Sequence, residues 1–154
     1  MRARAVVVNA VLAATLAVAS SAAAQSPEAR FGRWKLKSEA PPPALNIMTY
    51  QPWGDGGMQI TVESTNARGE TSTWGYATLF DGEFRPVQGR DGTETSVVFL
   101  TDRVTQIVTR REGRVTQMII NKLSEDGNTI LNDYHNWDGE GNYRLTQATY
   151  ERIH

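Results

Sequence analysis

The sequence predicts an all-β domain, an antiparallel up-and-down meander closed into a barrel of eight to ten strands. Three observations carry this prediction. Turn residues recur every roughly 10–14 residues from Asn46 onward, the spacing of short antiparallel strands. No stretch after residue 30 holds a helical period, so the long crossovers that parallel strands require are missing. The turns are short, which makes consecutive strands neighbours, and a sheet of about ten strands tends to curl until its edges meet. A two-sheet sandwich is the alternative.

The first element is a leader. Arg2 and Arg4 precede an apolar, alanine-rich run from Ala5 to Val18, and Ala22-x-Ala24 supplies the small residues of a signal-peptidase site. Residues 1–24 therefore read as a signal peptide, too short in its apolar part to span a bilayer of about 30 Å. The protein is expected to be exported to the periplasm or secreted, without a membrane anchor. The chain has no cysteine, so no disulfide holds the mature domain. Removing the leader takes away two arginines and leaves 14 basic against 17 acidic residues, a formal charge of −3. No basic patch interleaved with aromatics appears, which argues against a nucleic-acid partner.

Residues 25–30 are polar and read as a flexible lead, with one barrel domain over 31–154. Phe31–Lys37 alternates apolar and polar residues, the period of a half-buried strand. Pro41-Pro42-Pro43 continues neither a ladder nor a helix and is expected to be an extended connector. Strand-like runs follow at Asn46–Trp53, Met58–Thr65 and Thr71–Leu79. The segment from Leu79 to Gly92 carries two Asp-Gly turns around Pro86. Proline has no N–H to donate, so Glu83–Val87 reads as an edge strand or corner between two sets of hairpins. Thr93–Leu100, Arg103–Arg110, Val115–Leu123, Thr129–Trp137 and Tyr143–Ile153 complete the meander.

Alternation assigns faces. Met58, Ile60 and Val62 share one side. On the later strands amides accompany the apolar residues: Gln106 with Val104 and Val108, Gln117 and Asn121 with Val115 and Ile119, Tyr134 with Ile130, Asn132 and Asn136. Pointing inward, these groups need partners, which could be each other, water or a ligand. The chain has four tryptophans. Trp53 and Trp137 stand at strand ends, where an aromatic can line a barrel mouth, and Trp74 lies within a strand. The ligand-facing set is thus Trp53, Trp74, Gln106, Gln117, Tyr134, His135 and Trp137.

Catalytic and metal signatures are sparse. The histidines are His135 and His154, and no Gly-x-Ser-x-Gly elbow is present. Asp133 and His135 share a face, yet the spacing supplies no nucleophile for them. Without cysteine a closed zinc site has too few ligands, and the Asp-Gly loops lack the spaced oxygens of a calcium loop. No catalytic residue, metal or cofactor is assigned; haem held by His135 is a minor alternative. Nothing in the sequence specifies an oligomeric state.

Phe31-Gly32-Arg33-Trp34 resembles the Gly-x-Trp signature on the first strand of lipocalins and related calycin barrels. That resemblance implies that Trp34 closes one end of the barrel under an arginine from the last strands, Arg152 or Arg144. Asp81-Gly82-x-x-x-Pro86-Val87-x-Gly89 and the closing Tyr150-Glu151-Arg152 are similar to a group of small exported bacterial proteins described as lipocalin-like. The chain departs from lipocalins in two places: Thr101-Asp102-Arg103 is only a fragment of their turn motif, and a strand rather than a helix comes last. The implied function is a binding module that holds a small, mostly apolar ligand. A fully packed structural barrel is the rival, and a barrel enzyme ranks third. With stacking worth about 0.5–2 kcal/mol, Arg152→Lys is expected to be mild. Truncating a buried Trp34 should cost about 3–5 kcal/mol.

Overall fold

The computed structural model describes residues 25–154; the expected leader lies outside them. The strands are β1 (Gly32–Leu36), β2 (Leu45–Trp53), β3 (Gly57–Thr65), β4 (Thr71–Thr78), β5 (Arg85–Pro86), β6 (Thr93–Thr101), β7 (Val104–Arg111), β8 (Arg114–Leu123), β9 (Thr129–Trp137) and β10 (Tyr143–Ile153). Each coincides with a run predicted from alternation and turn chemistry to within two residues. All pairings are antiparallel, in the order β4-β3-β2-β1-β10-β9-β8-β7-β6-β5. This is the meander, with its first and last strands joined: Trp34 lies opposite Arg152 and Leu36 opposite Tyr150. Among the described residues no helix is long and apolar enough to cross a membrane.

The seam of the barrel falls in the Leu79–Gly92 segment. After β4 the chain crosses one end of the barrel, where Phe80 stacks on Phe99 at 4.3 Å, and returns as the two-residue β5. On one side β5 pairs with β6 (Arg85 with Thr95, Pro86 with Glu94). Towards β4 a single bridge joins Gly75 and Gln88, with N–H to O=C contacts of 3.1 and 2.8 Å. Pro86 thus sits on the short strand that ends the sheet, where its missing N–H does least harm. The result is a nearly closed barrel whose weakest join is β4 to β5.

The core lies at one end. Trp34 and Ile130 have no exposed surface, and Met58, Ile60, Tyr50 and Leu123 pack around them. Arg152 places its guanidinium carbon 4.2 Å from the Trp34 ring centroid. Its three nitrogens donate to the carbonyls of Gly127 at 2.9 Å, Phe31 at 2.6 Å and Ala29 at 2.7 Å. Gly32 makes room for it: a Cβ there would stand 2.8 Å from Nη1 of Arg152, and its φ of +130° suits glycine.

Three expectations are corrected. Residues 25–30 do not form a wholly flexible lead: Glu28–Arg30 make a 3₁₀ turn and Arg30 is buried. Its carbonyl accepts the Trp34 indole N–H at 2.9 Å, so the turn is tied to the core. The connector after β1 is not simply extended, because β1 and β2 pair antiparallel and the chain must reverse; Ala44 N–H closes a turn onto Pro41 O at 3.1 Å. On β7 it is Thr105 and Ile107 that are buried, while Val104, Gln106 and Val108 take the opposite, outer face. Apolar residues occupy both parities of this strand, so alternation alone chose the wrong one. Pairing decides it, since Ile107 lies opposite Val97 and Ile119.

Candidate functional site

A barrel of eight strands is about filled by its own side chains, and one of ten has interior room to spare. Here the spare room is a cavity of about 310 Å³ above the Trp34 end. Strands β2 and β3 supply Met48, Ile60 and Val62 to its wall, and β7 and β8 supply Ile107 and Ile119. Four tyrosines, Tyr50, Tyr76, Tyr134 and Tyr150, add rings with hydroxyl tips. Burial raises the pKa of Tyr50, Tyr76 and Tyr150, keeping these phenols protonated and able to donate.

Polar groups beneath the cavity form a chain. The guanidinium of Arg30 donates from Nη1 to Asn121 Oδ1 and from Nη2 to the carbonyl of Arg103 at 2.8 Å. Asn121 Nδ2 donates to Asn132 Oδ1 at 2.7 Å, and Asn132 Nδ2 to Tyr134 Oη at 3.0 Å. Arg30, Asn121 and Asn132 are each at most 3% exposed, and desolvation lowers the Arg30 pKa. Asn121 and Asn132 thus find partners within this chain, whereas Asn46 Oδ1 at the cavity wall has none among the described residues. Arg30 has no carboxylate partner among the described residues, and its Nε has no hydrogen bond.

The other end of the barrel opens into a cleft of about 1130 Å³, framed by the ends of β7 and β9 and the starts of β8 and β10. The cleft and the cavity share two lining residues, Arg90 and Gln117. Arg90, on the turn after β5, lays its guanidinium 3.8 Å from the Trp74 ring centroid. Trp74 stacks in turn on Tyr76 at 6.3 Å, 17° from parallel. Gln117 Nε2 donates to Asn136 Oδ1 at 2.8 Å across β8 and β9.

Of the residues expected to face a ligand, Trp74, Gln117 and Tyr134 line the cavity, and Trp137 lines the outer cleft. Trp53 sits at the opposite end, on the β2–β3 hairpin, 39% exposed. Gln106 lies on the outer face, donating to Met118 Sδ at 3.2 Å. His135 is outside as well: Asn132 and Tyr134 point inward, and alternation turns it away, with Nδ1 2.9 Å from Tyr143 Oη. Asp133 is engaged by Lys122 and by Gln147 at 2.5 and 2.6 Å. Of the two candidate arginines for the closed end, Arg152 takes the place and Arg144 lines the cleft. Sequence reasoning missed Arg30 and Arg90. Arg30 precedes the first periodic run and Arg90 lies in a turn, so neither carries a strand-period signal.

No family model matches the chain, and no curated protein matches it either. Among solved structures, the fluorescent protein UnaG in its wild-type form is similar at a TM-score of 0.57 and 13% sequence identity, over 82% of this chain and 99% of that one. A point mutant of UnaG aligns with the same TM-score and identity, over 82% of this chain and 98% of that one. At this identity the likeness is one of fold, a β-barrel.

Proposed function

We propose that the chain is an exported binding module that holds a small, mostly apolar molecule inside its barrel. The observation that carries this reading is the interior cavity of about 310 Å³, where aliphatic and aromatic side chains share the wall with Asn46, Ser64, Ser72 and Asn132, and which meets the outer cleft at Arg90 and Gln117. Sites for small molecules are concave, mostly apolar and equipped with a few orienting polar groups, and this volume is at their lower end of about 300 Å³. A structural barrel would gain stability by filling such a space, since each missing methylene forfeits packing. Export rests on the charge, apolar run and small-residue site of residues 1–24.

Native mass spectrometry of the protein purified from its own cell envelope tests both parts. The expected spectrum shows a chain starting at or near Gln25 and a bound species released on activation. A ligand-free spectrum, together with failure to take up a neutral naphthylamine fluorophore, would favour the packed structural barrel. An unprocessed chain starting at Met1 would remove export.

A further inference from the structure

The cavity and the cleft meet at a cation. Arg90 reaches from an exposed turn across the Trp74 ring, where partial desolvation lowers its pKa, and it lines both spaces. Arg111 and Arg144 line the cleft beyond it. None of the three forms an ion pair among the described residues, although Arg68, Arg85 and Arg110 elsewhere on the surface all do. Two carboxylates share the cleft. Asp138 is held by its own turn, accepting from the amides of Glu140 and Asn142 at 2.9 Å each and from the Asn142 side chain at 2.8 Å. Asp91 stands beside Arg90 in sequence without pairing to it. The neck therefore sets the Trp74 ring and the Gln117 amide on its inner side against a net positive charge on its outer side.

We propose that the ligand is an amphipathic anion, a carboxylate or similar acid on an apolar body, seated with its body in the cavity and its charged end at Arg90. A guanidinium offers several N–H donors in a planar fork suited to an acidic group. The Trp74 ring holds that fork in one orientation, so less freedom is lost when the anion arrives. Arg111 and Arg144 add long-range attraction at the entrance. This inference rests on the cavity reading and adds the ligand's charge and orientation to it.

Decanoate and 1-decanol share a chain and differ in the head, so isothermal titration of the mature protein with each at neutral pH isolates the charge. A charged hydrogen bond at a partly solvated neck predicts a preference for decanoate of about tenfold. In Arg90→Gln the ratio should fall to near unity, and Arg90→Lys should restore part of it. Reading the ratio cancels any change in cavity shape common to both probes. Equal binding of the two probes by the unmodified protein overturns the charge inference and leaves the cavity reading standing. A preference that survives in Arg90→Gln overturns the role of Arg90. Binding of neither probe overturns both readings.

Discussion

Arg152→Lys tests how the barrel is tied shut. Judged by stacking alone the change is mild, because a lysine can also lie over Trp34. The structure raises the expected cost, since Arg152 serves three carbonyls, on Ala29, Phe31 and Gly127, and a single ammonium on a flexible stem cannot reach all three. The Ala29 bond is exposed, and water replaces it at little cost. The Phe31 and Gly127 bonds are partly buried, and losing both at about 0.5–1.5 kcal/mol each gives about 1–3 kcal/mol. Poorer stacking adds about 0.5 kcal/mol. The total is a large part of a domain stability of about 5–15 kcal/mol. Urea unfolding of the mature chain, followed by tryptophan fluorescence, measures it. With a slope of about 1–3 kcal/mol per molar, the midpoint should fall by about 0.5–3.5 M. Arg144→Lys, in the open cleft, should stay within about 0.5 kcal/mol of the parent. A midpoint for Arg152→Lys that matches that of Arg144→Lys would refute the closure argument. Additivity of Arg152→Lys with Trp34→Phe would do the same, because residues in contact couple by about 0.5 kcal/mol or more.

Two further predictions concern the seam and the buried phenols. Gly89 has a φ of +80°, and a Cβ there would stand 2.6 Å from the carbonyl oxygen of Thr73, so Gly89→Ala should cost about 1–3 kcal/mol and act at the β4–β5 join. Hydrogen exchange should show the amides of Gly75 and Gln88 losing protection before those of β2 and β3; unchanged protection at these two positions would contradict the seam assignment. The raised pKa values of Tyr50, Tyr76 and Tyr150 mean that above the ordinary phenol value, about 10, the unfolded chain releases protons that the folded chain retains. Stability should therefore be complete below that pH and fall as pH rises through it. Spectrophotometric titration should find three phenols that ionise only as the barrel unfolds, and reversible ionisation of all five in the folded state would refute their burial.

The sequence by itself determined the strands, the turns, the meander and the pairing of its two ends. These follow from local chemistry: side-chain period two marks a strand, Asp-Gly and Asn-rich clusters mark reversals, and short turns leave sequential pairing as the economical topology. The resemblance of Gly32-x-Trp34 to the calycin signature implied an arginine over Trp34, Arg152 or Arg144, before the register was known. Where both faces of a strand carry apolar residues, as on β7, local pattern has no preference, and the pairing of Ile107 with Val97 and Ile119 decided which side faces the core. That choice sent Gln106 outside and left Gln117 and Tyr134 within. Only the tertiary structure brought Arg30 under the cavity and Arg90 over Trp74, since both belong to non-repeating segments whose partners are distant in sequence or fixed by barrel curvature. It also set the seam, because β5 is too short to pair fully with β4. The strands are local in origin, whereas the cavity arises from how wide ten of them must close.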